Sequence, residues 1–288
     1  MQQSVLPLIS CKDPNFAQLF VESLRDFGFG ALVDHPLNMP RVRTIYEEWR
    51  HYFSAGVDKT YAMNPVQQDG YFSLQVAEHA KGSCQRDFKE YFQYYSWGRC
   101  PPKLQEHLAA HFDQAINFAS ELLAHIEREA PPAAMVNLSE PLSGMIAGSR
   151  QSMLRVLHYP PMSAGMSAPR AAPHEDINLL TLLPAADGPG LEIRARNGEW
   201  IKAPNQPEQL LVNIGDMLQE VLGGWLPSTT HRVVHSPDSA SYGRMSLPLF
   251  LHPRPEVKLS ARYTAASYLQ ERLGELGVLP APRIRPSL

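Results

Sequence analysis

The segment APHEDINLL, residues 172–180, sets His174 and Asp176 two positions apart, just ahead of a run of leucines. An imidazole and a carboxylate are both metal ligands. On an extended segment, residues two apart project to one side, so both can address one ion while Glu175 points away. The pair alone decides nothing, because the chain has 11 histidines and 29 acidic residues. A third ligand has to come from another strand. The segment STTHRVVHS supplies His231, 231 − 176 = 55 residues beyond Asp176, at the start of a strand-like run. Two histidines and one carboxylate fix a divalent ion on one face and leave its other positions open to O2 and a co-substrate, which suits non-haem Fe(II). His174, Asp176 and His231 are therefore the candidate metal ligands and catalytic centre.

Thirteen residues beyond His231, the segment RMS places Arg244 and Ser246 on one face of a further strand. A guanidinium and a hydroxyl so placed can grip a carboxylate by a charge-assisted fork and an added hydrogen bond. The PDSASYG turn between them predicts that this strand folds back along the strand of His231.

The elements that must position these groups are legible in outline. The first 150 residues read as mostly helical. Apolar residues recur at helical spacing over residues 13–29, 39–55 and 101–132, with prolines at the helix openings. GALVDHP reads as a short buried strand. Residues 63–102 show no period, and Gly70-Tyr71-Phe72 reads as loop. From about residue 150 the pattern changes to short strand-like runs: QSMLRVLHY, NLLTLLP, GLEIRAR, EWIKAP, QLLVNIG, HRVVHS and RMSLPLFLHP. Asn197-Gly198 predicts a tight hairpin between two of them. Strands in this number and spacing close as a double-stranded β-helix, or jelly roll. The expected fold is thus mainly β with a helical N-terminal half. One domain is expected over residues 1–288: a helical region to 150, a jelly-roll core over 151–255 carrying the site, and a C-terminal helix and tail over 256–288. That helix, roughly 262–277, is expected to pack on the outside.

Taken in order, HEDINLLTLL, the later HRVV and RMSLPLFLHP resemble the isopenicillin N synthase-like branch of the Fe(II)/2-oxoglutarate-dependent oxygenases. LRVLHYPP (154–161), LRDFGFGALVDHP and DFKEYF (87–92) extend the resemblance over nearly the whole chain. It implies Fe(II) on His174, Asp176 and His231, with 2-oxoglutarate chelating the iron by its 1-carboxylate and 2-keto oxygens. Tyr159 would help Arg244 and Ser246 hold the distal carboxylate. Leu157 stands where the family often has Asn, and Gly223-Gly224 where it often has Asn-Gly. If Tyr159 faces the barrel interior, Arg155 does too, as a substrate-carboxylate ligand or a salt-bridged edge residue. Tyr91 and Phe92 would line the substrate entrance or pack in the core. His158 falls on the opposite face from Tyr159. His235 and His252 are expected at a sheet edge or surface.

The implied activity is oxidation of a small molecule, by hydroxylation, desaturation or ring closure, with O2 consumed and succinate and CO2 released. An alternative is an oxidase of the same fold that omits 2-oxoglutarate and grips the substrate's own carboxylate with Arg244 and Ser246. A non-catalytic jelly-roll binding protein is the third reading, though it has no need of three ligands and a carboxylate clamp together. Halogenation usually needs the carboxylate ligand replaced, and Asp176 is present. The formal net charge of −3 and the lack of a Lys/Arg run argue against nucleic-acid binding. No apolar run is long enough for a membrane span, and no signal-peptide pattern is visible. Cys11, Cys84 and Cys100 form no C-x-x-C pair, which fits a reducing, cytoplasmic setting. Oligomeric state and substrate identity leave no mark in the sequence.

Overall fold

The apolar periodicity of the N-terminal region resolves into α1 (Phe16–Phe27), α2 (Met39–Ala55) and α3 (Pro102–Glu129), with a short α4 (Leu142–Ile146). The structure is a computed structural model and describes residues 5–76, 87–162, 169–235 and 243–275. Helix α1 buries Phe16, Phe20 and Leu24 and ends at Gly28, whose φ of 71° is left-handed and whose N–H donates to the Leu24 carbonyl. A Cβ at Gly28 would stand 2.0 Å from Thr229 Oγ1, so glycine also permits the close approach of the loop that leads into His231. Helix α2 starts where the Asn38 side chain accepts from the Arg41 N–H, with proline in its first turn.

Between and after these helices run β1 (Leu8–Ser10), β2 (Phe29–Val33), β3 (Gly70–Phe72), β4 (Glu90–Tyr94), β5 (Met153–Tyr159), β6 (Ala171–His174), β7 (Leu180–Pro184), β8 (Leu191–Arg194), β9 (Trp200–Lys202) and β10 (Leu210–Ile214). A short helix α5 (Asp216–Val221), strands β11 (His231–Val233), β12 (Arg244–Ser246) and β13 (Leu249–Leu251), and helix α6 (Ala265–Glu275) complete the described residues. They build a nine-stranded sheet, in the order β1-β2-β10-β7-β13-β5-β4-β3 with β12 also on β5, and a four-stranded sheet β6-β11-β8-β9. This is the expected jelly roll with helices on one side.

Strand alternation separates two cores. Leu180, Leu182, Leu210, Val212, Leu249 and Leu251 turn outward into the larger core with Phe20, Trp49 and Leu122 of the helices. Phe29, Tyr91, Leu157, Tyr159 and Leu211 turn inward, toward Ile193 and Val233 of the smaller sheet. The site lies on the inner side.

Several expectations are corrected. Gly70-Tyr71-Phe72 is a strand, paired with β4 at Tyr71↔Phe92, and the helical region contributes β1 to β4 to the large sheet. These segments are too short, and pair too far along the chain, to show a local period. RMSLPLFLHP is two strands rather than one, broken at Leu247-Pro248. β12 pairs with β5, Arg244 opposite Tyr159, and does not return along β11, which lies in the other sheet. The Asn197-Gly198 turn is wider than a two-residue hairpin: Gly198 N–H donates to Ala195 O and Ala195 N–H to Glu199 O, with Gly198 at φ 86°. α5 interrupts the expected all-β region. The turn at 236–242, Cys84 and the end of the predicted C-terminal helix lie outside the described residues. Among the described residues, no helix is long and apolar enough to cross a membrane.

Candidate functional site

His174 ends β6, Asp176 follows two residues on, and His231 opens β11 directly opposite His174 in the antiparallel register. A donor atom from each of the three lies within 4.8 Å of the others. The Nε2 atoms of His174 and His231 stand 3.9 and 3.8 Å from Asp176 Oδ1. The Nδ1 of each ring lies beside a main-chain carbonyl, Ala172 O at 2.8 Å and Thr229 O at 3.1 Å. A carbonyl only accepts, so each Nδ1 carries the proton and donates it, and each Nε2 keeps its lone pair for the centre of the cluster.

Asp176 is oriented just as specifically. Its Oδ2 accepts from Thr181 Oγ1 at 2.6 Å and from Asn213 Nδ2 at 2.8 Å, which leaves Oδ1 to face the two histidines. Thr181 and Asn213 are register partners on β7 and β10, both on the inner face. Burial pushes the carboxyl upward in pKa, but His231, His174 and the two hydrogen bonds outweigh it and hold Asp176 below the usual carboxylate range. Burial, with His231 adding, pushes His174 down to about 4, so the ring is neutral and ready to ligate. Glu175 is exposed and accepts from Thr230 Oγ1 at 2.8 Å, away from the cluster. The three sequence-selected residues thus form a donor set that fits one divalent ion with open positions. Thr181 and Asn213 were missed by sequence reading, since a Thr and an Asn in apolar strands carry no spacing signal.

A second cluster gathers around Tyr159. Arg244 and Ser246 are buried and face Tyr159 and Leu157 across the β12–β5 pair. The Arg244 guanidinium lies 5.2 Å from the Tyr159 ring centroid, and its Nε donates to Gly188 O at 3.0 Å. Burial lowers its proton affinity, while Tyr159 and Tyr46 oppose that effect. Arg170, fully buried, places a second guanidinium 5.9 Å from the same ring. Two guanidiniums around a phenol and a buried hydroxyl make a setting for a carboxylate. Arg170 was not selected from the sequence, because it precedes β6 and no pattern ties it to Tyr159.

A cavity of about 400 Å³ opens beside His174 and Asp176. Arg155 lines it, its Nε donating to Gln93 at 2.9 Å and its guanidinium 4.6 Å from the Tyr91 ring and 5.3 Å from Phe250. Tyr91 supports that arginine from the inner face, stacked on Phe72. Phe92 does not line the cavity: it points the other way and packs on Trp49, ring centroids 4.7 Å apart. His158 also points outward, to Glu90 at 2.8 Å, as alternation requires. His235 is exposed as expected, but His252 is buried and lines the cavity. Parity was the available signal, because Phe250 and His252 are two apart and share a face. Helix α6 is not merely external, since Leu269 and Leu273 line the cavity mouth.

A sequence profile of the 2OG-Fe(II) oxygenase superfamily matches residues 150–253. A Shewanella oneidensis protein described as an oxygenase is 45% identical over 96% of this chain and 100% of its own, with a TM-score of 0.87. The 2-oxoglutarate-dependent dioxygenase ucsF of Acremonium sp is 27% identical over 92% of this chain and 86% of its own. A Neurospora crassa protein solved at full length in complex with alpha-KG is 20% identical over 95% and 98% of the two chains, with a TM-score of 0.75.

Proposed function

Because the chain belongs to the 2OG-Fe(II) oxygenase superfamily, we propose that it is an Fe(II)- and 2-oxoglutarate-dependent dioxygenase in which His174, Asp176 and His231 bind the iron. The observation that carries this is the fixed presentation of three ligand atoms: two Nε2 lone pairs and one carboxylate oxygen, each held from behind by a hydrogen bond. Arg244, Ser246 and Tyr159 hold the distal carboxylate of 2-oxoglutarate, with Arg170 adding positive charge behind Tyr159. Bound Fe(II) supplies the redox chemistry that couples O2 reduction and 2-oxoglutarate decarboxylation to oxidation of a substrate C–H bond. The chain's own work is orientation and exclusion. The paired sheets bury the carboxylate clamp, the ligand rings stay aimed, and the cavity holds a small molecule beside the metal. Arg155, supported by Tyr91, addresses that molecule. Hydroxylation, desaturation and ring closure are all open to this arrangement.

The test is anaerobic titration with Fe(II) and then 2-oxoglutarate, followed by O2 and measurement of succinate. Iron-dependent succinate release that disappears in His231→Ala, with the fold retained, supports the proposal. Metal-dependent O2 consumption with 2-oxoglutarate neither bound nor consumed would instead favour an oxidase that uses Arg244 and Ser246 on its substrate.

A further inference from the structure

His252 follows β13 on the inner face, 6% exposed, with its backbone N–H held by Ser152 Oγ at 3.0 Å. Its Nδ1 lies 3.2 Å from Phe250 O. The carbonyl can only accept, so the Nδ1 proton is committed to it and Nε2 is an acceptor. Burial pushes the imidazole down to about 4, with the nearby Arg155 charge also lowering it, so the ring is neutral at ordinary pH. Beside it in the same cavity wall stands Arg155, held flat by Gln93 and between the Tyr91 and Phe250 rings. The lining offers apolar surface from Met153, Ile177, Phe250, Leu269 and Leu273, and its other cations, Lys89 and Arg272, are ion-paired to Asp87 and to Glu271 and Glu275.

An acceptor-only imidazole next to a fixed guanidinium is a recognition edge with defined polarity. A carboxylate suits the arginine, a proton donor suits Nε2, and neither polar group suits the reverse. We infer that Arg155 and His252 together select a small carboxylate that bears an O–H or N–H donor near its acid group, carried on an apolar body. This inference rests on the reading of the cavity as the oxygenase's substrate site. His252 is a specificity residue in it, with no role as a metal ligand.

Matched acids test this without knowledge of the natural substrate. Mandelate against phenylacetate, and 3-phenyllactate against 3-phenylpropionate, differ by one hydroxyl on the same apolar acid. Their affinities are measured by anaerobic calorimetric titration of the protein loaded with Fe(II) and 2-oxoglutarate. The hydroxy acid is expected to bind about five-fold tighter in at least one pair, the effect of one neutral hydrogen bond. His252→Phe should erase that preference and leave the affinity for the plain acid, His252→Gln should keep part of it through its amide oxygen, and Arg155→Gln should weaken both members about ten-fold or more. No preference in the unaltered protein, no binding of any of the four acids, or a preference that survives in His252→Phe would overturn the inference. The unaltered-protein comparison needs no variant to fold. If 2-oxoglutarate fails to bind, the oxygenase reading fails separately, and the same acid pairs tested with Fe(II) alone still decide this one.

Discussion

Thr181→Val isolates what holds the carboxylate ligand in place. Valine has nearly the shape of threonine and belongs in a strand, so β7 keeps its packing and its register with Asn213. The change removes the 2.6 Å hydrogen bond to Asp176 Oδ2 and leaves the 2.8 Å bond from Asn213. A hydrogen bond to a buried charged group is worth roughly 1.5–3 kcal/mol. The surviving Asn213 bond keeps the loss near the lower end, so the dissociation constant for a divalent ion should rise about ten-fold. Asn178 Nδ2 also loses an acceptor in Thr181 Oγ1, but it keeps Leu180 O at 2.9 Å, so the fold should tolerate the change. The assay is equilibrium titration of the apoprotein with Fe(II) under anaerobic conditions, with thermal unfolding measured alongside. Thr181→Ser, which restores the hydroxyl, should recover most of the affinity. Unchanged metal affinity in Thr181→Val would refute the claim that Thr181 orients the ligand, and a loss not recovered by serine would assign the effect to packing.

Arg244→Lys keeps a cation but loses the planar fork, so 2-oxoglutarate affinity measured by titration should fall by about 1.5–3 kcal/mol while metal affinity holds; weakened substrate binding with unchanged 2-oxoglutarate affinity would favour the oxidase reading. Glu175→Gln should retain most of the iron affinity in the same metal titration, because Glu175 bonds Thr230 and is no part of the ligand cluster. His111 is fully buried in α3, neither ring nitrogen has a hydrogen-bond partner, and burial lowers its pKa from 6.5 to about 4. Above pH 6.5 both folded and unfolded chains carry it neutral; as pH falls from 6.5 toward 4 the unfolded chain takes up a proton that the folded one refuses, costing about 3 kcal/mol of stability. His111→Leu should therefore lose that part of the acid-side decline in urea-unfolding free energy, and identical pH profiles for the two proteins would contradict it.

His174, Asp176 and the helices were legible in the chain for a local reason, whereas His231 was selected by its order along the chain. H-x-D places its two side chains by strand alternation, and helices α1, α2 and α3 announce themselves through a period that no partner need supply. Arg244, Ser246 and Tyr159 were selected as a set, through their order along the chain and a family likeness. Their meeting across one strand pair was decided by the fold, which sent β12 to β5 and not to β11. Strands β3 and β4, the donors Thr181 and Asn213 behind Asp176, and Arg170 beside Tyr159 were all beyond local reading. Each acquires its role only from a partner brought close by the fold: Tyr91 opposite Leu157, Thr181 opposite Asn213, Gln93 opposite Arg155, and Tyr159 beside Arg170. His252 shows the limit most directly. Its parity with Phe250 was visible, but whether that face met bulk solvent or a cavity depended on the second sheet and on α6, which together line it. Side-chain direction is a short-range property of the backbone, whereas burial and hydrogen-bond partnership are set by which distant strands become neighbours, and that pairing is a property of the whole chain.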